Sequence, residues 1–241
     1  MGLGRQKVVT AFVRVRFPVM RLPLGFNNYY FEVIKMILGG WNINAVTGGM
    51  PQKVATAFSE VFDGLTGAEY TPIAYLGEQV ANGTNHAILA EQTLVLGRDI
   101  HNIVLIVLNE RNEKFSIERI ENVVAGGAPL GGIKIDVSTE IKGEAEKAWN
   151  EAFQMFVGSA VKPFALLGTQ VTNGTDYIFA ATSKMITRPV GDGVGVKFTD
   201  KEEVVIVTVH TATNHAEFKA VLSGSTSGNG TSVGAPLGEY P

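Results

Sequence analysis

The chain has 241 residues, no cysteine and a formal net charge of −3. Lack of cysteine excludes disulfide staples, thiolate metal sites and a cysteine nucleophile, and no run approaches the ~20 apolar residues of a membrane helix. Six basic residues and a single acid, Glu32, fall within residues 1–35, leaving 14 basic and 22 acidic side chains for the rest. An acidic body without a basic face argues against nucleic acid as a partner.

Residues 1–35 are Arg-rich and interrupted by Pro18 and Pro23. They lack the apolar run and small-residue cleavage site of a secretory signal, so they read as an extension or disordered leader, with a transit-like presequence as the alternative. From Met36 the chain reads Met-Ile-Leu-Gly-Gly-Trp, and Leu38-Gly39-Gly40 recurs 92 residues later as Leu130-Gly131-Gly132. After each anchor comes one helical pattern. Val54, Phe58, Val61, Phe62 and Leu65 share a face in the first, with Pro51 suited to its first turn. Ile141, Ala145, Ala148, Trp149, Ala152 and Phe156 do so in the second, where Ser138 or Thr139 is the expected cap and Gly158 the expected stop.

The pattern then changes to strands, predicted at 72–81, 84–96, 103–109 and 115–124, and again at 163–172, 175–188, 204–210 and 216–222. Between the first two strands of each set stands one phrase said twice. Leu76-Gly77-Glu78-Gln79-Val80-Ala81-Asn82-Gly83-Thr84 returns as Leu167-Gly168-Thr169-Gln170-Val171-Thr172-Asn173-Gly174-Thr175, with Leu, Gly, Gln, Val, Asn, Gly and Thr identical at an offset of 91 residues. Asn-Gly between β-prone runs is a strong hairpin signal, because a type I′ turn needs positive φ at both central positions. A second tip is expected near 109–114 and 211–215. The repeat divides the chain into 1–35, a first domain at 36–124, a Gly/Pro linker at 125–132, a second domain at 133–222 and a Gly/Ser-rich tail at 223–241. Within that tail Ala235-Pro236-Leu237-Gly238 echoes Ala128-Pro129-Leu130-Gly131, like the opening of a further unit.

A glycine anchor, one helix and a hairpin reading Gln-Val-x-x-Gly-Thr resemble the cystatin family of cysteine-protease inhibitors, the disulfide-free stefins most of all. The resemblance covers about residues 36–222. It implies an α+β fold of two tandem cystatin-like domains, each one helix packed on a four-stranded antiparallel sheet. It also implies reversible, non-covalent inhibition of papain-like cysteine proteases by a wedge of glycine strand and hairpin tips. The protease-binding residues carried over are Gly39, Gly40, Gln79, Val80, Ala81, Asn82 and Gly83 in the first unit. In the second they are Gly131, Gly132, Gln170, Val171, Thr172, Asn173 and Gly174. Ala81 and Thr172 stand where the family motif has valine, and the first companion loop is charged (Glu110, Arg111, Glu113, Lys114). A non-inhibitory binding or assembly protein that associates with itself is the alternative.

Enzymatic signatures are absent. The four histidines, His86, His101, His210 and His215, have no H-E-x-x-H spacing, and no G-x-S-x-G elbow occurs. Gly191-Asp192-Gly193-Val194-Gly195 is not followed by a helix that could hold phosphate. The Asn-Gly-Thr triplets at Asn82, Asn173 and Asn229 match the glycosylation sequon but read as turns. The expectation is therefore a cytoplasmic, non-enzymatic protein with no cofactor, no metal, no nucleic acid and no membrane.

Overall fold

Four apolar runs dominate the architecture. Ala87–Ala90, Ile103–Leu108, Phe179–Ala181 and Val204–Val207 are buried without interruption. A strand with one face in water alternates apolar and polar residues, whereas a continuous run needs cover on both faces. The computed structural model, which describes residues 40–95, 99–127, 131–187 and 197–224, shows how that cover is supplied.

The element order is β1 (Trp41–Thr47), α1 (Gln52–Phe62), β2 (Ala68–Val80), β3 (Thr84–Val95), β4 (Asp99–Arg111) and β5 (Lys114–Ala125). It repeats as β6 (Lys134–Ser138), α2 (Gly143–Phe153), β7 (Ser159–Val171), β8 (Thr175–Thr187), β9 (Lys197–His210) and β10 (His215–Ser223). Each set makes one antiparallel five-stranded sheet in sequential order, β1-β2-β3-β4-β5 and β10-β9-β8-β7-β6.

The inner faces of the two sheets share a single core. Leu76, Leu89, Ile103 and Leu105 of the first sheet meet Leu167, Ile178, Val204 and Ile206 of the second. Outside the first sheet, Val54 and Phe58 of α1 pack on Tyr75, Ile88, Ile106 and Leu108. Outside the second, Ala145, Ala148 and Trp149 of α2 pack on Phe179, Val205, Val207 and Val209. The layer order is helix, sheet, sheet, helix. Fully burying a side chain such as Phe179 contributes about 1.5–3 kcal/mol.

This arrangement corrects the expectation of an α+β fold with a four-stranded sheet per domain. The described residues are mostly β, with two five-stranded sheets and two helices of 11 residues each. The strands missing from the sequence reading are β1 and β6. Trp41-Asn42-Ile43-Asn44-Ala45-Val46-Thr47 alternates half-buried and exposed positions, a period-two signal that the helical pattern downstream overshadows. A cystatin-like domain has its helix over the one buried face of the sheet; here the opposite sheet buries the second face as well.

The glycine of the repeated Leu-Gly pair has a folding role. A Cβ on Gly77, where φ is +147°, would lie 2.1 Å from the Asn42 carbonyl oxygen, and one on Gly168 would lie 2.3 Å from that of Lys134. Only glycine lets β1 and β6 run this close to their neighbours. The expected caps of α2 are also corrected. Lys142 holds the N-cap position with no side-chain cap, while the Ser138 hydroxyl accepts from the Glu140 amide at 3.2 Å in a local turn. The helix ends at Phe153, ahead of Gly158.

Candidate functional site

The two sheets lie with their hairpin tips at opposite ends. Trp41 starts β1 beside Gln79, next to the first tip, yet it bridges Gly224, at the end of β10 far from the β9–β10 turn. The mirror contact is the amide of Gly127, just past β5, donating to the Ile133 carbonyl ahead of β6 at 3.1 Å. Each pole therefore belongs to one repeat.

At the first pole three segments lie side by side because their strands are neighbours in one sheet. They are the start of β1 at Gly40 and Trp41, the β2–β3 tip at Ala81, Asn82 and Gly83, and the β4–β5 turn at Asn112 and Glu113. Asn112 (φ 51°) and Glu113 (φ 62°) both take positive φ, as a two-residue type I′ turn requires. At the second pole the corresponding segments are Gly131 and Gly132, then Thr172, Asn173 and Gly174, then the turn between His210 and His215. Gly39 lies outside the described residues, as do Gly191–Gly195 and Asn229.

The tip residues divide into those that hold the fold and those that face solvent. The Ala81 amide donates to the Gly83 carbonyl at 3.1 Å and the Thr172 amide to that of Gly174 at 3.0 Å, but the expected positive φ is taken only at the first tip, by Asn82 (47°) and Gly83 (115°). A Cβ on Gly83 would sit 2.3 Å from the Glu110 carbonyl oxygen, and one on Gly174 would sit 2.8 Å from Thr211 Oγ1. Gly83 is thus required by the backbone of the neighbouring hairpin, whereas the contact at Gly174 is with a side-chain hydroxyl that can turn away. Gln79 accepts from Asn85 Nδ2 at 3.1 Å, and Gln170 donates to the Gly131 carbonyl at 2.7 Å. Val80 and Ala81 are half-buried, whereas Asn82, Val171, Thr172 and Asn173 are exposed. Val171, at 76 % exposure, is the most open apolar side chain at either tip.

Behind the first pole is a polar chain that the sequence reading missed. His86 is 6 % exposed and its Nδ1 lies 3.1 Å from the Tyr75 hydroxyl. Its Nε2 lies 3.4 Å from Glu110, whose other carboxylate oxygen pairs with Lys53 of α1. Lys53 also stands over the Phe115 ring, 5.8 Å from its centroid. The hydrogen bond to Lys53 holds the Glu110 carboxyl below its ordinary value. Burial pushes the Tyr75 phenol well above its ordinary value, with the Glu78 charge adding to it. Burial also lowers the His86 imidazole, and the opposing pull of Glu110 and Glu78 does not overcome it. These shifts assign the protons. Ionised Glu110 can only accept, so Nε2 carries the hydrogen, and Nδ1 accepts from the protonated Tyr75 hydroxyl.

The second pole has a different polar pair on the inner face. His210 Nδ1 lies 3.0 Å from buried Asp176, which also accepts from Thr172 Oγ1 at 3.1 Å. His215 stands across from His210 in the register of β9 and β10. His101 pairs with Glu91 at 2.7 Å, at the start of β4 and so far from the β4–β5 turn. Among the described residues no group of three or more His, Asp and Glu side chains is placed to hold a metal ion. No described helix is long and apolar enough to cross a membrane. Comparison with protein-family models, with curated proteins and with solved structures finds no match, so the likeness to cystatins rests on the glycine anchors and the repeated tip phrase.

Proposed function

We propose that the protein is a non-enzymatic, reversible inhibitor of papain-like cysteine proteases, with one binding edge at each pole. The observation that supports this reading is the side-by-side placement of chain start, first tip and second turn at one end of each sheet. Such an edge enters a cleft without desolvating a charge, provided that its leading residues are neutral. The second pole meets that condition better. Its turn reads Thr211-Ala212-Thr213-Asn214, against Arg111-Asn112-Glu113-Lys114 at the first. The cysteine-free composition is compatible with the cytosol, our proposed location.

Titrating the full chain into papain tests the reading: reversible loss of peptide hydrolysis at micromolar protein is expected, and full activity there overturns it. Within an inhibited complex, Val171→Asp places a carboxylate on an exposed tip position that no core contact uses. Burying that charge should weaken inhibition by about tenfold or more. Ala81→Asp should do the same for whatever inhibition the first pole provides.

A second reading, as a self-associating binding protein, is favoured by one specific feature. Past the end of α2, Met155 and Val157 are 89 % and 86 % exposed, and Phe156 between them is 40 % exposed. Consecutive open apolar side chains of this kind mark interaction surfaces. Light scattering would support this reading by a mass that rises with concentration and falls in Met155→Glu. A monomer at every concentration overturns it.

A further inference from the structure

We propose that His86 is a proton-operated latch that holds the first pole closed near neutral pH and releases it in acid, a device that the second repeat lacks at the equivalent positions. The inference does not depend on what either pole binds.

The latch is built from the two residues that flank the β4–β5 turn. Glu110 and Phe115 pair directly across the hairpin, and His86 touches both, with its ring 5.8 Å from that of Phe115. Lys53 brings the first turn of α1 onto the same two residues. One imidazole thus joins β3, the tip of the β4–β5 hairpin and the start of the helix. The ionisable groups facing it are Tyr75 and Glu78 from β2, Glu110 from β4 and Lys53 from α1, while β5 contributes the uncharged Phe115.

Only the neutral imidazole satisfies this set. Protonation puts a hydrogen on Nδ1, facing a hydroxyl that was itself the donor. Tyr75 must then turn its own hydrogen away from the imidazole, and a cation is added to a side chain 6 % exposed. The direction follows from linkage. The folded state holds His86 below its ordinary 6.5, so the unfolded or opened state binds the proton more readily. The closed form is fully favoured above pH 6.5 and loses ground as pH falls through that value towards the lowered one.

The second repeat provides an internal control. At the equivalent positions Tyr75 is replaced by Leu166, His86 by Tyr177, and Lys53 by Glu144. Tyr177 is packed with Phe179 in the α2 core, so no imidazole stands at the position of His86.

Hydrogen exchange of the full chain between pH 7.5 and 5.0, scaled to the rate of an unstructured peptide at each pH, tests the latch. We expect amides of 52–62 and 108–117 to exchange several-fold faster in acid. Amides of α2, 143–153, where Glu144 stands at the position of Lys53, should not change. His86→Gln, which stays neutral, should abolish the acceleration. The His86 ring resonance in the unaltered protein should titrate with the same midpoint, which keeps the test valid if the variant folds poorly. Equal acceleration in α1 and α2, no acceleration in the first repeat, or acceleration that persists in His86→Gln overturns the proposal.

Discussion

Replacing Leu105 with alanine should lower stability by about 2–5 kcal/mol, and the loss should be seen in the other repeat as well. Leu105 is 1 % exposed on the inner face of the first sheet, in the same core as Leu167, Ile178 and Ile206 of the second. A cavity there removes contacts from both sheets. Trp149 reports on the second repeat through its stack with Phe153 and its edge contact with Phe179. The chain has two tryptophans, so Trp41→Phe leaves Trp149 as the sole indole emitter. In that background the urea midpoint read at Trp149 should fall with Leu105→Ala. Two tandem domains with separate cores would leave it unmoved. Coincident transitions across probes are the mark of one cooperative unit.

The second large effect concerns Gly77. Its φ is +147°, and a Cβ added there would lie only 2.1 Å from the Asn42 carbonyl oxygen, so no side chain fits. Gly77→Val must push β1 off β2 or strain the β2 backbone, at a cost on the order of 3 kcal/mol. Gly64→Ala serves as the control for backbone strain alone, since its φ is +81° but nothing lies within 4 Å of the added carbon. Chemical denaturation should separate the two, and amide exchange along 41–47 should rise selectively in Gly77→Val. Equal effects at both glycines would mean that the close crossing of β1 is unimportant.

These two experiments also weigh the meaning of the repeated phrase. Leu76 and Leu167 are fully buried, Gly77 and Gly168 admit the first strand of each sheet, and Gly83 and Gly174 make room for the neighbouring hairpin. Much of the identity between the copies is thus used in folding. What remains exposed for a partner is Asn82 at one pole and Val171, Thr172 and Asn173 at the other. The charge substitutions therefore address exposed Val171 and half-buried Ala81 and not the glycines.

Sequence alone determined the local structure, because its causes are local. Asn-Gly marks both turns, although only Asn82 and Gly83 take positive φ, while continuous apolar runs specify strands and helical spacing specifies the short helices near 52–62 and 143–153. The offset of 91 residues showed that whatever these elements build is built twice. Only tertiary structure decided what covers the second face of each sheet. Ile103–Leu108 declares that both faces are buried, yet an apolar run does not name its neighbour, and the hydrophobic effect that buries it has no direction. The opposite sheet supplies the cover. The Tyr75–His86–Glu110–Lys53 chain was hidden for a related reason. Its members come from β2, β3, β4 and α1, spread over 57 positions, and nothing in their spacing announces that register and helix packing will bring them together.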